Sequence, residues 1–277
     1  MQIIAYARTH ETREVIERNP VTAPTTRFVK HPDELSGVGS DAPNRMLLWE
    51  CVGVSESDVA TLAHVYDNLR PTPHLLVRLD LANAGAHMVL ELARHLPFAR
   101  VSLRGVDDLV RDVTGATGRA DEMGCQLEIA RRVLPRVPEA VSSLVAVACL
   151  AGHRRLPITA FARGCGIAPR TLEVRLERTG IVAPRELVAW MVALHSLWRL
   201  EIARWPAKHV AAASGFTSTE AWSNYVLRHT GARPKSLLAH GGFRRLVERT
   251  YSVLAASRDP EKGPVSTDQR CFSPPSS

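Results

Sequence analysis

Glu220 and Asn224 stand four residues apart in "SGFTSTEAWSNYVLRHTGARP" (214–234), and a 3.6-residue period puts both on one side of a helix, with Ser223 next to them. Trp222, Tyr225 and Val226 fall on the other side as a core-facing stripe. A carboxylate, a carboxamide and a hydroxyl presented together can hydrogen-bond to the polar edges of another molecule. Thr217, followed three residues later by Glu220, reads as a capping box and predicts a helix starting near Ser218. Before Gly215, "HVAAAS" reads as a short apolar helix. The unit is therefore helix, glycine turn, helix, and the second helix of such a unit can lie in a DNA major groove. An ordinary helical hairpin has the same spacing, so this stretch alone does not decide.

A second copy does. "ITAFARGCGIAPRTLEVRLERTGIVAP" (158–184) has the same plan: short helix, Gly166, then a helix carrying Leu172 and Leu176. Leu172, Leu176 and Pro184 each lie fifty residues before Trp222, Val226 and Pro234, with Gly180 and Gly231 at matching places. The outward positions correspond too, Arg170 to Glu220 and Val174 to Asn224. Such an internal repeat is unlike chance resemblance between two unrelated hairpins.

The elements that position the two helices come next. "RELVAWMVALHSLWRLEIA" (185–203) contains no Gly or Pro and predicts a helix about 28 Å long at 1.5 Å per residue. One turn of B-DNA is roughly 34–36 Å, so helices joined this way could enter successive major grooves on one face. The joining helix is apolar nearly all round, which suits burial between two lobes. His195, Ser196 and Arg199 interrupt a run already too short to span a membrane, and no membrane partner is expected.

Charge is divided unevenly along the 277 residues. Residues 1–118 hold 12 Lys+Arg against 15 Asp+Glu, a net of −3, and residues 119–250 hold 20 against 10, a net of +10. A basic half carrying paired hairpins is the footprint of a phosphate-binding surface. The hydrophobic content of 45% and charged content of 23% fit a globular chain. The start, "MQIIAYARTHETREV", does not read as a signal peptide. Cysteines 51, 125, 149, 165 and 271 form no CxxC pair, and the eleven histidines include no HExxH. Reduced thiols, a cytoplasmic location, no metal site and no cofactor are the expectation.

In the first half, "QIIAYA" (2–7), "RFVKH" (27–31), "RMLLWECV" (45–52), "HLLVRLDL" (74–81) and "RVSLRG" (100–105) read as buried strands. They alternate with helical segments "ETREVIERN", "SESDVATLAHVYDNL" (with Ser55 and Asp58 at its cap), "GAHMVLELARHL" and "VDDLVRDV". That alternation predicts a parallel sheet with helices on both faces. No glycine-rich phosphate loop follows the first strand. Strand ends are where such folds bind ligands, which makes Arg8, Glu50, Cys51, Asp80 and Arg104 the residues to inspect. Cys51 has no identifiable base, so an inert thiol is expected.

The C-terminal half resembles the DNA-binding region of the AraC/XylS family of transcription regulators, through "FARGCGIAPRTLEVRL", "P…LVAW" and "VAAASGFTSTEAWSNYVLRHTGARP". The N-terminal half resembles a receiver domain that has lost its chemistry. A receiver needs acidic residues at the ends of strands one and three and a Lys after strand five. Those places hold Tyr6-Ala7-Arg8, Glu50-Cys51 and Arg104, so phosphotransfer is not expected.

The resemblance implies a receiver/flavodoxin-like α/β domain with a five-stranded parallel sheet over 1–115 and a connecting segment over 116–137. An all-α DNA-binding domain follows over 138–245, with helix-turn-helix motifs at about 156–180 and 206–231 joined by the helix 185–203. A disordered tail, "TGATG" (114–118) as linker, and 256–277 as that tail complete the layout. It implies base-facing roles for Arg170, Glu173 and Val174 on the first recognition helix, and for Thr219, Glu220, Ser223 and Asn224 on the second. Asn can pair with adenine, Glu can accept from cytosine N4 and Val can touch a thymine methyl. Arg178, Arg228 and Lys235 are implied at phosphates. Double-stranded DNA is the expected partner, with RNA polymerase and a second copy of the chain as candidates, and no catalytic residue is expected. Two alternatives stay open: a nucleotide- or flavin-binding α/β enzyme with an accessory helical domain, and a non-specific architectural DNA binder.

Overall fold

The apolar runs "RMLLWEC" and "HLLVRL" become central strands whose residues are buried almost throughout, as a sheet covered on both faces requires. The structure, a computed structural model, describes residues 2–37, 45–51, 56–69, 73–104, 109–110, 113 and 125–256. Strands β1 (Gln2–Tyr6), β2 (Thr26–Phe28), β3 (Arg45–Cys51), β4 (His74–Leu79) and β5 (Arg100–Leu103) form one all-parallel sheet in the order β2-β1-β3-β4-β5. This is a doubly wound order with its switch point between β1 and β3. Helices α1 (His10–Arg18), α2 (Glu56–Asn68) and α3 (Leu81–His95, interrupted at Gly85) follow strands one, three and four. Strand β4 stops before Asp80 because the Asp80 carboxylate caps α3, accepting from the Ala82 N–H. The expected Ser55 cap, the 114–118 linker, most of "VDDLVRDV" and the tail beyond Ala256 lie outside the described residues.

Two further helices, α4 (Cys125–Val133) and α5 (Glu139–Ala151), pack onto the β5 side of the sheet. Gln126 of α4 explains how an edge strand is closed there. Its Oε1 accepts from the Val101 N–H at 2.9 Å, and its Nε2 donates to the Val101 carbonyl at 3.0 Å and to the Leu150 carbonyl. The carboxamide thus takes the place of one more peptide unit beside β5.

The chain divides into two compact units, Met1–Ala151 with Thr159–Pro169, and Gly152–Ile158 with Arg170–Ser277. The expected boundaries differ. Helices α4 and α5, placed by the sequence in a connector (116–137) and a second domain (from 138), belong with the sheet. So does α6 (Ile158–Gly164), apart from its first residue. A Cβ added to Gly166, just after α6, would stand 2.8 Å from the Ala82 Cβ of α3, an approach only glycine allows. The helices that the sequence paired as the first hairpin therefore fall in different units. The second hairpin lies wholly in one.

Among the described residues of the second unit, all regular elements are helices: α7 (Pro169–Arg178, apart from its first residue), α8 (Pro184–Glu201), α9 (Ala207–Ala213), α10 (Thr219–Thr230), α11 (Pro234–Ala239) and α12 (Gly242–Ala256). Helix α8 is buried from Leu187 to Arg199, and α9, α10, α11 and α12 pack against it. It starts at Pro184 and ends at Glu201, two residues before the expected end, because the Ala203 N–H turns back to the Trp198 carbonyl. No helix among the described residues is long and apolar enough to cross a membrane.

Candidate functional site

Helix α10 is bounded by strong local signals. Ser218 caps it, its Oγ accepting from the Ala221 N–H at 3.0 Å, so the cap is Ser218 and not the Thr217–Glu220 box. At the other end Gly231 adopts a left-handed conformation (φ 74°) and donates its N–H to the Leu227 carbonyl. Trp222, Val226 and Thr230 are buried. Glu220, Ala221, Asn224 and Arg228 form the exposed row, and none of these side chains makes a hydrogen bond or ion pair among the described residues. Thr219 and Lys235 are exposed as well. Ser223 is half-buried and sits at the rim of that row, on the flank nearer the core.

Helix α7 presents the same arrangement fifty residues earlier. Leu172 and Leu176 are buried, Arg170, Thr171 and Arg178 are exposed, and Val174 is half-buried. Arg170 pairs with Glu173 at 3.2 Å, an exposed contact of little energetic weight that an incoming ligand could displace. Thr171 and Ala221 occupy equivalent positions in the two rows. Neither was singled out in the sequence, because a small side chain carries little chemical signal until its exposure is known.

A buried polar network fixes α10 to α8. The Trp222 indole N–H donates to Ser196 Oγ at 3.0 Å. Ser196 Oγ lies 3.4 Å from Ser214 Oγ at the end of α9, and Arg199 Nη1 donates to Ser214 Oγ at 3.3 Å and to the His153 carbonyl at 2.9 Å. The Arg199 guanidinium lies 5.5 Å from the centroid of the Trp205 ring. These are among the polar residues that interrupted the apolar helix in the sequence. Their function is to hold the turn and the next helix.

Tyr225 is not in the core with Trp222 and Val226. It is half-buried, 5.0 Å from the Phe216 ring and 4.7 Å from His229, with the Arg155 guanidinium 5.7 Å from its centroid. Arg155 also donates its backbone N–H to the Ser214 carbonyl, so segment 152–158 is tied to the glycine turn. Burial pushes the Tyr225 phenol above its usual pKa, Arg155 opposing it, and burial with the neighbouring Arg228 charge holds His229 below 6.5.

The strand-end residues of the sheet are engaged with one another. Glu50 is fully buried and its carboxylate accepts from the N–H groups of Arg8 and Thr9 at 2.7 and 2.8 Å and from the hydroxyls of Thr9 and Thr12. It therefore fills the anion position at the α1 N-terminus, beside the switch point. Arg8 pairs with Asp58 at 3.1 Å, and Arg104 with Glu11 and Asp80. The Cys51 thiol is pushed up to about 12, by burial first and then by Asp58, so it is not a nucleophile near neutral pH. Among the described residues no cluster of His, Cys, Asp and Glu is arranged to hold a metal ion.

Comparison of the chain with known families, with curated proteins and with solved structures finds no match.

Proposed function

We propose that this protein is a sequence-specific DNA-binding transcription regulator of the AraC/XylS type, acting in the cytoplasm. The observation that carries the reading is the unpaired row Glu220, Ala221, Asn224 and Arg228 on a helix rigidly seated against its own core. Asn and Glu address base edges, Ala can touch a thymine methyl, and Arg meets a phosphate. The charge supports it: the second unit holds 18 Lys+Arg against 9 Asp+Glu, a net of +9, and the first 17 against 19, a net of −2. Helices α7 and α10 act as two recognition helices in successive major grooves, with Arg170, Glu173 and Val174 reading bases at the first and Arg178 and Lys235 at phosphates. The α/β unit is a receiver-like domain without phosphotransfer, used for sensing or for pairing with a second copy, and RNA polymerase is the further partner of such a regulator.

Genome-wide mapping of DNA bound by the full-length protein, followed by competition between recovered fragments and random duplex, tests this. A recovered fragment should outcompete random duplex by 10³-fold or more, the usual lower bound for a specific binder. Equal competition would leave an architectural binder.

A further inference from the structure

Arg204 is the one non-glycine residue with left-handed backbone among the described residues, at φ 57°, whereas Gly85, Gly166, Gly180, Gly215, Gly231, Gly241 and Gly242 fill the other such positions. In that conformation Cβ crowds the following carbonyl, a cost glycine avoids. The neighbours impose it. The N–H groups of Ile202 and Ala203 both turn back to the Trp198 carbonyl, and the Trp205 N–H donates to the Arg199 carbonyl at 2.9 Å. Trp205 itself is buried against Arg199, and Pro206 then sets the start of α9. Between these pinned residues the chain must reverse at 204.

The backbone favours glycine at this place, yet an arginine stands here. It is exposed and makes no hydrogen bond or ion pair among the described residues. Glu201, the nearest carboxylate in sequence, is engaged with the Phe243 N–H at 2.6 Å. Lys208, four residues on and in the first turn of α9, is a second exposed cation.

We propose that Arg204 is a phosphate-contacting residue, presented by its left-handed turn to the backbone of duplex DNA at the entry to the α9–α10 hairpin. This role rests on the DNA-binding reading above. A guanidinium suits it, because its planar fork donates two hydrogen bonds to one phosphate and keeps its charge at all accessible pH.

Full-length Arg204→Gly and Arg204→Asn test it, since Asn is the other residue that tolerates this backbone. The unfolding midpoint should stay unchanged in both, relief of strain offsetting any added freedom of the unfolded chain. Affinity should fall by the same factor for preferred and random duplex, and the slope of log K against log salt should become shallower by about one unit. Arg204→Lys should retain the slope. Unchanged binding in both variants overturns the assignment. A lowered midpoint in both also overturns it, by making Arg204 a structural residue. If the unaltered protein bound no duplex at any salt, the DNA-binding reading would fail and take this role with it.

Discussion

The Trp222 indole N–H and the Ser196 hydroxyl meet at 3.0 Å across 26 residues of sequence, both buried. That hydrogen bond sets the rotation of α10 about its own axis, and so which of its side chains face outward. A helix held only by apolar packing could roll by a fraction of a turn. One held by a directional bond at its central tryptophan has far less freedom to do so.

Ser196→Ala should therefore cost about 1–3 kcal/mol, the penalty for a buried donor left without its acceptor. Trp222→Ala should cost roughly 3–5 kcal/mol through the cavity it opens. In Trp222→Phe the donor is gone as well, so adding Ser196→Ala to it should cost less than Ser196→Ala alone. Denaturant unfolding of the unaltered protein, Ser196→Ala, Trp222→Phe and the double variant measures this, and strictly additive losses would show that the bond contributes nothing.

The two glycine turns at Gly166 and Gly215 were legible in the sequence because their signals are local. Gly166 and Gly215 both have left-handed backbone, and Ile167 and Phe216 donate to the carbonyls of Ala162 and Ala211 in matching helix-ending turns. The parallel sheet was legible for the same reason, since doubly covered strands read as apolar runs. The Ser196, Gln126 and Glu50 contacts were not, because each joins residues 18 or more positions apart. Helical periodicity also misplaced Tyr225. Period fixes direction around a helix but not how far the neighbouring elements extend over it. The unit boundary was missed because α4 is amphipathic and α5 apolar, and only the partner surface tells which core each completes.

Glu50 offers a test of the α/β unit. Its carboxylate is buried and fully used by donors from Arg8, Thr9 and Thr12, so small phosphodonors should leave the intact protein's mass unchanged. Glu50→Gln keeps the shape but turns a donor group toward donors, and should cost about 1.5–3 kcal/mol of stability, the value of a charge-assisted bond. A stable acyl-phosphate lost in Glu50→Gln would refute this picture.

His229 gives a pH dependence with a definite sign. Burial and Arg228 hold its folded pKa below 6.5, so in the window just below 6.5 the unfolded chain binds more protons than the folded one. Stability therefore falls as pH drops through that window and is fully present above it. Arg228→Ala removes the second cause, and the His229 titration followed by NMR should move up toward 6.5. An unchanged titration would mean that the charge at 228 is not felt by the ring.

Asn224 and Arg228 lie one turn apart in the exposed row, yet they should respond differently to removal. Asn224→Ala should cost about 1–3 kcal/mol on the preferred duplex and flatten discrimination at one base pair, because a carboxamide reads a base edge. Arg228→Ala should weaken all sequences alike and make the salt slope shallower by about one unit, because a phosphate contact is blind to sequence. Neither side chain touches the core, so unfolding free energies should stay within about 0.5 kcal/mol of the unaltered protein. Equilibrium binding to a panel of single-base variants separates the two patterns. Should Asn224→Ala leave both affinity and base preference intact, the row would be a solvated helix face, and α10 would serve only to complete the core around Trp222.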